Sequence, residues 1–163
     1  MISLLVKAED EGDKLSNAEV HASLRLLLVA GHETTANLLG NGMYALLKNP
    51  DQLNWLRNNL DQMNLAVEEM LRYDTPVASN GRVALTDVEI GGKLIKAGDF
   101  IILLHGAANH DTGMWETPDS LRLDNLNGRD HLSLGRGIHY CLGAPLARLE
   151  GEIGFEKVLK QWL

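Results

Sequence analysis

Apolar residues recur at helical intervals from the capping-box spacing of Ser16 and Glu19 through Leu47, where Asn49-Pro50 breaks the pattern. About thirty residues at 1.5 Å rise predict a helix roughly 45 Å long, so a compact fold must pack its other elements along this spine. Shorter helices are predicted from Pro50 to about Asn58 and from about Asp61 to Tyr73, the second ended by Thr75-Pro76. The period then changes. Gly81 to Leu85, Val88 to Ile90, Lys93 to Ile95 and Phe100 to Leu104 carry β-forming residues, with Gly91-Gly92 and Ala97-Gly98-Asp99 as turns, and predict a small antiparallel sheet. Residues 110–137 read as a long loop, of a kind that is usually functional when ordered, and a final helix is predicted from Ala144-Pro145 to the end. The fold class is therefore mainly α with a small antiparallel β-sheet. No internal repeat or low-complexity stretch interrupts this order.

Composition narrows the picture. With 163 residues, 45% of them apolar, the chain has the size of one domain with a real core. Apolar segments reach both ends, from Met1-Ile2-Ser3-Leu4 to Trp162-Leu163, which predicts that residues 1–163 form one partial domain cut through a larger one at both edges. The net charge of −7, without a basic run, argues against a nucleic-acid partner. Arg25, His32 and Glu33 interrupt the longest apolar stretch too early for a membrane span. A single cysteine and no signal-peptide pattern point to a reducing, cytoplasmic setting.

Candidate chemistry concentrates in HLSLGRGIHYCLGAPLARLEG, residues 131–151. Gly135 and Gly137 can take backbone angles closed to other residues, letting a tight loop turn several N–H groups toward one sulfur. Gly143 offers no side chain to obstruct a flat ligand, and the following helix begins with its positive end beside Cys141. A lone cysteine is ordinarily a small buried apolar residue. This setting favours an anionic ligand sulfur instead. On the second short helix, Glu69 and Arg72 share a face and can pair, which alone means little on a helix surface. On the long helix, Gly31 costs about 1 kcal/mol relative to alanine and calls for a packing or ligand-binding reason. Thr34 beside it can bond back to the carbonyl four residues earlier and loosen the helix into a groove.

These segments, in this order, resemble the cytochrome P-450 family, in wording closest to its soluble bacterial branch, and correspond to the C-terminal, haem-ligating portion of that fold. Leu134, Gly137, Cys141 and Gly143 match the pattern Phe-x-x-Gly-x-x-x-Cys-x-Gly, with leucine where the family has phenylalanine. The resemblance implies haem b with Cys141 as its iron ligand, and His139 and Arg82 as partners of the haem propionates. Gly31 and Gly143 would lie against the haem. Glu69 and Arg72 would form a buried structural pair bracing the cysteine loop. The family's third arginine aligns with Ser120, and Arg122 is placed to compensate. Glu33 and Thr34 would be the catalytic acid-alcohol pair that delivers protons to dioxygen.

The implied function is that of a haem-thiolate monooxygenase using dioxygen to hydroxylate a small organic substrate. Electrons would come from a ferredoxin or another reductase, with Arg136 on the contact face. Because the chain matches only the second half of a full-length member, alternatives stay open: a non-catalytic haem-binding remnant, a helical interaction module with a structural cysteine, or a metal site at His105 and His110. Peroxide-driven turnover is a further variant. An apolar face left on the long helix predicts a dimer or aggregate.

Overall fold

A computed structural model describes residues 15–124 and 128–162, so the apolar stretch at residues 1–4 and the final Leu163 fall outside the described residues. The long helix α1 runs unbroken over Asn17–Lys48. Its start is the predicted capping box: the Ser16 hydroxyl accepts from Glu19 N at 3.3 Å, and the Glu19 carboxylate accepts from Ser16 N at 2.8 Å. Two helices follow, α2 over Pro50–Asn58 and α3 over Met63–Tyr73, the latter entered through a single 3-10 turn at Leu60–Gln62. The last helix, α5, spans Ala144–Trp162.

The strands β1 (Asn80–Val83), β2 (Val88–Ile90), β3 (Lys93–Ile95) and β4 (Phe100–Leu103) do form, but as two separate two-stranded antiparallel ribbons. β2 and β3 are a hairpin closed at Gly91-Gly92, while β1 pairs with β4 across it, with Arg82 opposite Ile101. Period-2 patterning identifies strands and not their partners, so the single sheet expected from sequence resolves into a pair of ribbons. A one-turn helix that local patterning did not signal, α4 at His105–Ala108, follows β4.

The core lies where α1, α3 and α5 meet. The C-terminal half of α1 contributes Leu38, Ala45 and Leu46 to it, whereas Leu26 and Leu28 nearer its start are 67% and 73% exposed. A methyl group built on Gly42 would lie 2.5 Å from the Phe155 ring of α5 and 2.9 Å from the Met70 sulfur of α3. The Phe155 and Met70 side chains therefore pack directly on the α1 backbone, and a side chain here would push them away. On α3 the residues from Ala66 to Arg72 are all buried, including three charged ones. A helix wrapped on every side must satisfy its polar groups inside the protein.

Replacing Gly42 with alanine is expected to cost about 1–3 kcal/mol by overpacking. Gly31→Ala, on the same helix but with no atom of the described residues within 4 Å of the added carbon, is expected to stabilise the haem-free chain by up to about 1 kcal/mol. Urea unfolding of both variants checks the opposite signs.

Candidate functional site

The three segments singled out in the sequence converge. A cavity of about 500 Å³ is lined by Ala30, Thr34 and Thr35 of α1, Arg82 of β1, Leu103 and Leu104 at the end of β4, His105 of α4, and Leu134, Arg136, His139 and Cys141 of the cysteine loop. This size suits a cofactor or drug-sized ligand, and the lining is mostly apolar with a few polar groups, as such sites usually are. Glu33, Gly31 and Gly143 are exposed and fall outside that lining.

The cysteine loop owes its course to glycines. Gly135 and Gly137 sit at φ +70° and +69°, a region that side-chain-bearing residues rarely enter, and each reverses the chain. Cys141 N donates to Leu134 O at 2.9 Å, closing the loop on itself, and Leu134 packs against the core. Among the described residues no hydrogen bond reaches the Cys141 sulfur, and the N–H groups of Gly135, Tyr140 and Cys141 donate to the carbonyls of Leu132, Gly137 and Leu134. On α1 the Thr34 hydroxyl donates to Ala30 O at 2.8 Å, the back-bond expected from the sequence, with the helix continuous through it. Among the described residues no atom lies within 4 Å of a carbon built on Gly31, so packing against them does not explain this glycine.

Arg82 is half-buried, with Nη1 donating to Gly81 O at 2.7 Å. Its Nε and Nη2 have no partner among the described residues, which leaves three N–H groups free for an anion. His139 likewise makes no hydrogen bond among the described residues. His105, 9% exposed, directs Nδ1 at Leu132 O at 2.7 Å, and its buried Nε2 has no partner although the residue lines the cavity. A buried orphan nitrogen of this kind calls for a bound polar group. His110 is tied to Asp119 and to Tyr73 O, and no cluster of metal-ligating side chains occurs among the described residues, so the His105–His110 metal reading has no geometric support. The single thiol, free N–H groups and apolar walls fit an iron porphyrin carrying two carboxylates.

The Glu69–Arg72 pair is buried and two-pronged, with Nε and Nη2 each 2.8 Å from a carboxylate oxygen. Arg72 then donates to the carbonyls of Asn109, Pro118 and Ser120 at 2.9, 2.8 and 3.1 Å. Ser120 thus does contribute, through its backbone. Arg122 does not compensate as expected: its guanidinium turns to solvent beside Asp124, and only its backbone N–H reaches Glu69, at 3.0 Å. A carboxylate already saturated by one buried guanidinium gains little from a second, and an exposed arginine keeps its hydration.

Sequence reading missed how this pair reaches the loop. Asn109, 1% exposed, carries the relay: its carbonyl takes Arg72, its Oδ1 accepts from Leu132 N at 2.8 Å, and its Nδ2 donates to Ser133 Oγ at 2.8 Å. Ser133 in turn donates to Leu71 O at 2.6 Å. Glu68, beside Glu69, was missed as well. It is 3% exposed; burial opposes its charge, but hydrogen bonds from His131 and Arg148 prevail and hold its carboxyl down at about 2.

Arg72→Ala, which removes the bidentate partner of Glu69 in a dry site, is expected to destabilise the chain by about 3–5 kcal/mol in urea unfolding. An acid dependence follows from Glu68. The unfolded chain takes up this proton near 4.5 and the folded chain near 2, so the stability it contributes is complete above about 4.5 and lost as pH falls toward 2. Urea midpoints measured down this range should fall less steeply for Glu68→Gln.

The sequence profile described as Cytochrome P450 matches residues 1–162. Among curated relatives, cytochrome P450 CYP107DY1 of Priestia megaterium is 43% identical over 162 residues, which is 99% of this chain and 39% of that protein. The polyketide biosynthesis cytochrome P450 PksS of Bacillus subtilis is 47% identical over 163 residues, 99% of this chain and 40% of its own length. The solved structure of the tirandamycin C-bound monooxygenase TamI superposes with a TM-score of 0.94 at 41% identity, covering 98% of this chain and 40% of that one. The chain thus spans about two fifths of the length of the relatives it matches.

Proposed function

The chain belongs to the cytochrome P450 family, and from that premise we propose that it is the haem-ligating part of a haem-thiolate monooxygenase that uses dioxygen to hydroxylate a small organic substrate. The observation that carries this reading is the shared cavity, whose lining includes the only thiol, Thr34 and Thr35 of α1, Arg82 and His139. Haem b would be held by the Cys141 sulfur, with its carboxylates taken by Arg82 and His139. When bound, such a haem supplies dioxygen activation, which an electron-rich thiolate ligand favours.

The chain's own groups do the remaining work. Leu134, packed on the core, keeps water from the sulfur side, where a water-filled loop would weaken the ligand's charge. Gly31 leaves room for a ligand to lie on α1. Thr34 has its hydroxyl proton engaged by Ala30 O, so its oxygen faces the cavity as an acceptor and can hold a donor there. Glu33, one residue away and exposed, can exchange protons with solvent and pass them toward Thr34. Exposed Arg136, next to the loop, suits an acidic electron donor such as a ferredoxin. Among the described residues no helix is long and apolar enough to cross a membrane.

Purified chain mixed with haem, reduced and exposed to carbon monoxide is expected to give the strongly red-shifted Soret band of thiolate ligation, and Cys141→Ala is expected to lose it. A band unchanged by the substitution, or no stoichiometric haem uptake, overturns the haem-thiolate reading for this chain. A thiolate band without product formation when a reductase system is supplied points to haem binding without catalysis.

A further inference from the structure

We propose that Glu68 is a positioning residue for the cysteine loop, acting on Cys141 through Arg148 and Tyr140. The proposal rests on the haem-thiolate reading only in treating the placement of Cys141 as functional.

Glu68 and Glu69 are neighbours on α3, about 100° apart around a helix of 3.6 residues per turn, and so cannot serve one partner. Glu69 takes Arg72. Glu68 points to the other side, where Arg148 of α5 grips it with Nε and with Nη2 at 3.2 Å, and His131 approaches at 3.0 Å. Arg129 adds a distant charge at 3.9 Å from solvent. The His131 ring is fixed in one tautomer: Ser133 N donates to Nδ1 at 3.1 Å, so Nε2 carries the proton and donates to Glu68. The carboxylate therefore joins α3, the segment before the loop, and α5 in one buried cluster.

The loop needs such an anchor. Its outward apolar residues hold nothing, since Ile138 and Leu142 are 97% and 96% exposed. Its backbone bonds close within the loop or onto the first turn of α5. Among the described residues, the one side-chain hydrogen bond made by residues 135–143 runs from Arg148 Nη1 to Tyr140 Oη, at 3.0 Å. Tyr140 is the residue before Cys141. A guanidinium is planar and rigid, so with Nε and Nη2 fixed on Glu68 the direction of Nη1 is fixed too. Without the Glu68 charge, Arg148, 26% exposed, is free to swing to solvent and release Tyr140.

Iodoacetamide labelling of the haem-free chain tests this, because Cys141 is its only cysteine. Tyr140→Phe removes the last link and leaves the buried cluster whole. It is expected to lower the thermal midpoint by no more than about 2–4 °C while labelling about five-fold faster, the equivalent of one net hydrogen bond. Glu68→Gln should also label faster, and the double variant no faster than the faster single, as members of one chain of contacts behave. Parent-like labelling of Tyr140→Phe overturns the proposal, as do effects that multiply in the double variant. Should Glu68→Gln fail to fold, Arg148→Lys, which keeps the charge and loses the fork, takes its place with the same expectation. The reaction needs no haem, so its outcome stands apart from the carbon monoxide spectrum that judges the haem-thiolate reading.

Discussion

Taking a guanidinium out of water costs several kcal/mol unless its donors find oxygens inside the protein. Arg72, 2% exposed, carries five N–H donors and makes five hydrogen bonds, two to Glu69 and one each to the carbonyls of Asn109, Pro118 and Ser120. Those three carbonyls lie in chain that otherwise has little regular structure. The segment after α4 is therefore shaped by having to present oxygens to a cation it surrounds. The Trp115 ring, with its centroid 5.3 Å from the guanidinium carbon, covers the site from that same segment.

From this requirement the cavity inherits one of its walls. Asn109 cannot move without releasing Arg72, and its side chain fixes Leu132 and Ser133. Leu134 and the turn at Gly135 follow directly, and the cysteine loop hangs from them. α3 thus works as a hub with two outputs. Glu69 sets the stretch leading to the loop from one side, and Glu68 reaches α5 and Tyr140 on the other. At Gly42 the absence of a side chain lets Phe155 of α5 and Met70 of α3 pack directly onto α1.

How much of this could be read from sequence depends on the range of each interaction. The capping box at Ser16, the proline starts of α2 and α5, the hairpin at Gly91-Gly92 and the back-bond of Thr34 are settled within a few residues, and the text carries them. Gly135 and Gly137 were legible because a positive φ leaves glycine as its trace. The Glu69–Arg72 pair was visible at helical spacing, although its burial was not. Partners 60 to 80 positions away leave no local trace: His131 and Arg148 lie 63 and 80 residues from Glu68. Asn109 read as one more polar loop residue. The expectation for Arg122 failed for a related reason, since sequence suggests side chains as partners while the backbone N–H and the Ser120 carbonyl, present whatever the residue, did the work. Strand pairing was similarly illegible, because Asn80–Val83 and Phe100–Leu103 each read as a plain strand without saying which neighbour it would choose.

The solitary thiol in this arrangement has a redox consequence. An oxidised cysteine is ordinarily rescued when a second thiol condenses with its sulfenic acid to a disulfide. Cys141 has no such neighbour in this chain. Once oxidised while no ligand covers it, the sulfur can be recovered only by a thiol from another molecule, and otherwise proceeds to acids that do not revert. The same lack of a second cysteine that leaves the sulfur uncommitted opens it, in the bare chain, to permanent chemical loss.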